Sequence, residues 1–221
     1  MLRVAVLGSG NGSNLQALLD HIAAGHVAAQ VSLVLADKPD APVLHRARRA
    51  NVPAVIALPK EPGEPAAAYD ERLLSVLRAE EPDLVVLAGY MRIMGPALVR
   101  AFVGRLVNIH PSLLPAFKGL HAVKQALDAG VPEAGCTTHL VSDELDGGAI
   151  LLQAGLKIRP GESLEVLQRR ILSLEHLLLP RTVQLFAERR IAADGGIAPG
   201  PSWKTRQDLD LVSGAWYSEG F

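Results

Sequence analysis

Cysteine is almost missing from this chain. Cys136 stands alone among 221 residues, which leaves no internal disulfide framework and no cysteine-based zinc cluster, and fits a reducing compartment. An excess of either charge is also lacking. The 22 Lys and Arg against 23 Asp and Glu give a formal net charge of −1, without the basic stripe a nucleic-acid binder carries. No apolar stretch approaches the roughly 18 residues a membrane span needs. The opening run "MLRVAVLGSG" is too short in its apolar part for a signal peptide and reads directly as a strand. Repeats, coiled-coil heptads, an interdomain linker and metal-site spacings of His, Asp and Glu are absent too. These absences leave a soluble, cytoplasmic globular protein: one domain over residues 1–190, then an extension over 191–221 with no assigned role.

What is present is an apolar fraction of 49%, enough for a full core. Short β-rich runs alternate with segments of helical period. Strands are expected over 2–8, 31–37, 52–58, 83–91 and 105–111, with helices over 14–25, 41–51 and 66–81 between them. The strands read as unbroken apolar runs, as strands buried on both faces do. The alternation predicts an α/β fold: an open, mostly parallel twisted sheet with helices on both faces. The later segment 134–158 reads as two strands joined by an acidic, glycine-containing loop, a hairpin. A long helix follows from 163, with Leu164, Leu167, Ile171, Leu174 and Leu178 at spacings of three and four, and Pro180 is expected to kink or end it.

Four places could carry chemistry. The first is "GSGNGSNLQ" at 8–16, between the first strand and helix. Its glycines allow a sharp turn and close approach to a ligand, and a helix start suits an anion. The plainer account is a tight turn with Ser13 and Gln16 as a capping box. A dinucleotide fingerprint would begin at Gly8 and Gly10, with Asp37 as the ribose-binding acid, but its third glycine is missing because Gly12 comes one residue early. A single phosphate, as on a sugar phosphate, fits better. The second place is "NIHPSLLP" at 108–115. In β geometry Asn108 and His110 share one face at the carboxyl end of a strand, where an amide can donate to an oxyanion and an imidazole can move a proton. The third is "SDELDGG" at 142–148, a solvated hairpin turn by itself, but one whose Asp146 could orient and charge His110. The fourth is Glu175, at the edge of an apolar helical stripe, where a carboxylate needs a partner: solvent, or the hydroxyls or amine of a polar substrate. His21, His26 and His45 read as residues of helix surfaces. No G-x-S-x-G elbow presents a nucleophile, so direct attack by substrate on an acyl donor fits better than a covalent intermediate.

With these residues in view, the chain resembles the phosphoribosylglycinamide formyltransferases, the folate-dependent transformylases of purine synthesis. The resemblance runs from residue 1 to about 190 and rests on "SGNGSNLQA", "VVLAGYMRIM", "NIHPSLLPAFKGLHA", "SDELDGG" and the "EH" at 175–176, in the family's order and spacing. "HPSLLP" with a later D-x-G names formyl transfer in general; "GNGSN" points to glycinamide ribonucleotide. The resemblance implies a Rossmann-like formyltransferase fold. It implies that Gly12, Ser13 and Asn14 take the substrate phosphate, that Asn108, His110 and Asp146 are the catalytic set, and that Glu175 contacts glycinamide ribonucleotide. Met91, Arg92, Ile93, Met94, Asn108 and Val141 would line the folate pocket, with His121 and His139 near the site. The implied partners are glycinamide ribonucleotide and 10-formyltetrahydrofolate, the latter as co-substrate, with no metal, nucleic acid or membrane. The chain would act as a monomer or homodimer.

One departure concerns the folate tail. Where some relatives carry an Arg just before "AYD", this chain has Ala66, and Lys60 or Arg72 is left as a substitute. Among rivals, transfer to methionyl-tRNA calls for a second, basic domain. A folate deformylase calls for a regulatory domain ahead of the first strand. A dinucleotide-binding module calls for the missing glycine.

Overall fold

The computed structural model describes residues 1–200 and 214–218. Five of the apolar runs become parallel strands: β1 (Leu2–Leu7), β2 (Ala29–Ala36), β3 (Ala54–Ala57), β4 (Leu84–Leu87) and β5 (Leu106–His110). β6 (Glu133–Leu140), β7 (Ile150–Lys157) and β8 (Ala215–Tyr217) continue the same sheet antiparallel, in the order β3-β2-β1-β4-β5-β6-β7-β8. The expected hairpin is the β6–β7 pair.

Side chains alternate across the parallel strands, so two cores form. Val4 and Val6 of β1 face a cluster with Leu15, Leu18, Leu44, Leu174 and Leu178. These come from α1 (Ser13–Ala23), α2 (Pro42–Arg49) and α6 (Leu164–Ala187). Ala5 and Leu7 face the opposite cluster with Tyr69, Leu73 and Leu98, from α3 (Ala66–Glu80) and α4 (Pro96–Ala101). Each leucine buried in these layers contributes about 1.5–3 kcal/mol of apolar transfer. A short α5 (Ala122–Asp128) covers the region after β5.

Several local expectations are corrected. Ser13 and Gln16 form no capping box. Gly12 is the N-cap of α1 in the left-handed region, no side chain caps it, and Gln16 instead donates to Asp20 at 2.9 Å. The N-cap position falls on Gly12, which has no side chain to cap with, and Ser13 is already the first helical residue. α1 ends at Ala23, so His26 lies beyond the helix, its ring 5.4 Å from that of His21. Pro180 does not interrupt α6, which runs on to Ala187. The missing N–H forfeits one helical bond, but Leu178, Leu179 and Val183 around it are fully buried, and their packing holds the helix continuous. Part of the 191–221 extension belongs to the main sheet. β8 pairs with β7, and Trp216 lies so close to Gly155 that a Cβ there would stand 2.5 Å from its ring.

Candidate active site

Strand order reverses between β1 and β4, and the segments after β1, β4 and β5 meet in the crevice at that switch point. The turn after β1 is tied to its neighbours. Ser9 donates its N–H to the Gly89 carbonyl at 3.0 Å, and its Oγ accepts from the N–H of Met91 at 2.9 Å. From α2, Arg46 donates to the carbonyl and the side-chain oxygen of Asn11, both at 2.8 Å. Gly12 has φ +75°, and a Cβ there would lie 2.7 Å from Val43. The result is a rigid loop opening onto the N-terminus of an 11-residue helix, at Gly12, Ser13 and Asn14, which suits a single anionic group.

Asn108 and His110 do share a face of β5, since Ile109 between them and Val107 before them point into the core beneath α1, α2 and α6. Antiparallel pairing sets His139 directly opposite Asn108 and Thr137 opposite His110. His139 Nδ1 lies 2.9 Å from the Leu140 carbonyl and so carries the proton. Burial lowers its pKa, against the opposing pull of that carbonyl and of Asp146. In the neutral ring Nε2 is therefore an acceptor, and the Asn108 amide donates to it at 3.1 Å. That bond fixes which way the amide faces.

Asp146 arrives from the β6–β7 loop with φ +47°. Its side chain accepts from the Gly119 N–H at 2.8 Å and stands 3.5 Å from His110 Nδ1 and 3.7 Å from His139 Nε2. His110 Nε2 is 3.0 Å from the Phe117 carbonyl. Both nitrogens of His110 thus face oxygen atoms, at 3.0 Å and 3.5 Å. The Asn108 amide and His110 imidazole of β5 and the Asp146 carboxylate of the β6–β7 loop, bridged by His139 of β6, form one cluster.

Glu175 is 7% exposed on α6 and accepts from Asn14 Nδ2 at 2.7 Å. Burial pushes its pKa up to about 7, with the Asn14 bond pulling the other way. The phosphate-type loop and the buried acid are thereby one unit.

A cavity of about 400 Å³ opens beside this cluster, large enough for a pterin-sized ring system. Met91, Arg92, Ile93 and Met94 form one wall, Val141 and residues 142–146 another, and Asn108, His139 and Asp146 reach its surface. His110, 6% exposed, sits outside that wall. The Arg92 guanidinium stacks over the Tyr69 ring at 4.0 Å. Arg72, one expected substitute for a tail-binding Arg, is held by Glu64 at 2.7 Å with Glu61 at 3.7 Å. His121 is the left-handed N-cap of α5, exposed and outside the cavity wall. Among the described residues, no group of three or more His, Cys, Asp or Glu is placed to hold a metal, and no helix is long and apolar enough to cross a membrane.

Residues 2–183 match the formyl transferase family. Phosphoribosylglycinamide formyltransferase of Escherichia coli is 43% identical over 190 residues, which cover 86% of this chain and 89% of that one. This chain belongs to the phosphoribosylglycinamide formyltransferase family. Glycinamide ribonucleotide transformylase 1 from Symbiobacterium toebii superposes with a TM-score of 0.86 at 45% identity, covering 90% of this chain and 95% of the other. The human trifunctional purine biosynthetic protein adenosine-3 is 40% identical over 84% of this chain, a match spanning 18% of its own length.

For this formyltransferase, sequence reasoning left several members of the site unassigned. His139 had no stated role, although it stands opposite Asn108. Arg46 was visible only as part of a basic helix. The Phe117 carbonyl carries no side-chain signal, and only the loop geometry brings it to His110.

Proposed function

We propose that the chain transfers the formyl group of 10-formyltetrahydrofolate to the amine of glycinamide ribonucleotide, as a step of purine synthesis, with Asn108, His110 and Asp146 as the catalytic set. The observation that carries this reading is the convergence of Asp146 on His110 and, by way of His139, on Asn108, beside a folate-sized cavity.

In this reading the loop at Gly12, Ser13 and Asn14 seats the 5′-phosphate, and Glu175 meets the ribose or glycinamide portion. The pterin enters the cavity between residues 91–94 and the loop around Val141. The substrate amine attacks the formyl carbon, forming a C–N bond and a tetrahedral oxyanion. Asn108, aimed by His139, donates to that oxygen, and imidazolium His110 stabilises it further. Asp146 keeps His110 charged and passes the amine proton toward N10 of the folate as the bond from N10 to the formyl carbon breaks. No covalent enzyme intermediate is required.

The test is an absorbance assay of folate deformylation with and without glycinamide ribonucleotide. Product should form only with the acceptor present; equal rates without it would make the protein a hydrolase. Asn108→Ala and His110→Ala should fold normally and turn over at least about a hundredfold slower, since one lost oxyanion donor costs ~3 kcal/mol. Near-normal turnover in either variant would remove that residue from the catalytic set.

A further inference from the structure

The turn that follows His110 is stapled by the neighbouring strands of the sheet, and the staple leads to the C-terminal strand. Thr137 on β6, fully buried, donates its hydroxyl to the Ser112 carbonyl at 2.7 Å and accepts from the Leu114 N–H at 3.1 Å. Gln153 on β7 extends the same network. Its Nε2 donates to the Leu114 carbonyl at 2.9 Å and to Thr137 Oγ at 3.0 Å. Both backbone groups of Gln153 are in turn held by Ser218, just past β8: the Gln153 N–H donates to Ser218 Oγ at 2.9 Å, and the Ser218 N–H donates to the Gln153 carbonyl at 2.8 Å.

From these contacts we infer that Gln153 is a positioning residue for catalysis: anchored by the C-terminal strand, it fixes the turn after β5 and, through it, the carbonyl that orients His110. The path is short and physical. Gln153 and Thr137 hold the backbone of Ser112 and Leu114. Ser112 Oγ donates to the Ala116 carbonyl at 2.7 Å. The next carbonyl, that of Phe117, faces His110 Nε2 at 3.0 Å. Gln153 touches no substrate in this arrangement; it acts on the reaction through the angle of the imidazole. A misplacement of a reacting group by about 1 Å can cost on the order of a hundredfold in rate, so a loosened turn should register in turnover. This inference rests on the formyl-transfer reading and assigns that site a support reaching to the last strand.

Gln153→Met keeps an unbranched side chain of similar length and removes both donors. It should lower kcat about tenfold or more while leaving KM for both substrates within about twofold and the circular dichroism spectrum unchanged. A side chain that served only to pack the edge of the sheet would lower the melting temperature without separating kcat from KM. Wild-type protein and His110→Ala run alongside keep the two readings apart. If the wild type forms no product, the formyl-transfer reading fails. If the wild type is active and His110→Ala is not, but Gln153→Met keeps full kcat or loses activity only through KM, the positioning role is overturned. Gln153→Leu, measured in the same way, gives the same decision should the Met variant fold poorly.

Discussion

Replacing Glu175 with glutamine should stabilise the protein in alkaline solution and leave it unchanged in acid. Glu175 is buried on α6, and its carboxyl pKa rises from 4.5 to about 7. At about 1.4 kcal/mol per pKa unit, the ionised form is penalised by roughly 3 kcal/mol relative to an unfolded chain. The sign follows from proton binding. Below pH 4.5 the group is protonated in both states and contributes no difference. Between 4.5 and about 7 the folded protein holds a proton that the unfolded chain has released, so stability falls as pH rises. Above about 7 both forms are ionised and the full penalty applies. Glutamine is neutral throughout, and its side-chain oxygen can still accept from Asn14 Nδ2, as Glu175 does at 2.7 Å. For a chain of this length, about 2–4 °C per kcal/mol predicts a gain of about 6–12 °C in Tm at pH 8.5, shrinking to nothing near pH 4.5. Thermal melts of both proteins across that range provide the assay. A Tm difference that does not vary with pH, or a variant less stable at pH 8.5, would refute the argument. A higher KM for glycinamide ribonucleotide in the same variant would show that the ionised acid is retained for binding despite its cost.

Two further substitutions test the site from other sides. Asp146→Asn keeps a side chain that tolerates φ +47° and can accept from the Gly119 N–H, but removes the negative charge beside His110; kcat should fall about a hundredfold, or ~3 kcal/mol, and a loss under tenfold would mean that the charge is dispensable. Gly12→Ala places a Cβ 2.7 Å from Val43 at φ +75°; it should cost about 1–3 kcal/mol of stability and raise KM for glycinamide ribonucleotide tenfold or more, and a variant with wild-type Tm and KM would show that the loop has room to adjust.

The parallel half of the fold was readable because strand segments buried on both faces are apolar, as β4, Val4–Leu7 of β1 and Leu33–Ala36 of β2 are. α4 and α5 escaped because they span only six and seven residues, too few to show a helical period. β8 has three residues and little local signal; the backbone ladder to β7 and the fit of Trp216 against Gly155 define it. Glu175 was legible as an anomaly, an acid on an apolar stripe, but its partner Asn14 lies 161 positions away in the chain. Arg72 shows the reverse case. Its charge is obvious in sequence, whereas its capture by Glu64 is a loop contact that composition does not announce.

The same contrast runs through the cluster around Asn108 and His110. Asn108 and His110 stood out because polar groups interrupt a buried strand on one face, a rule set by the two-residue period. Thr137, His139 and Gln153 break no local rule, and only strand register gives them meaning. Asn108 pairs with His139, and the intervening Thr138 points the other way to meet Thr182 at 2.8 Å. A slip of one residue between β5 and β6 would exchange those faces, sending the His139 ring toward Thr182 and setting a threonine against the Asn108 amide. The buried Thr138–Thr182 bond opposes that slip, since it would cost Thr138 its hydroxyl partner in the core, and so helps keep the Asn108 amide facing His139.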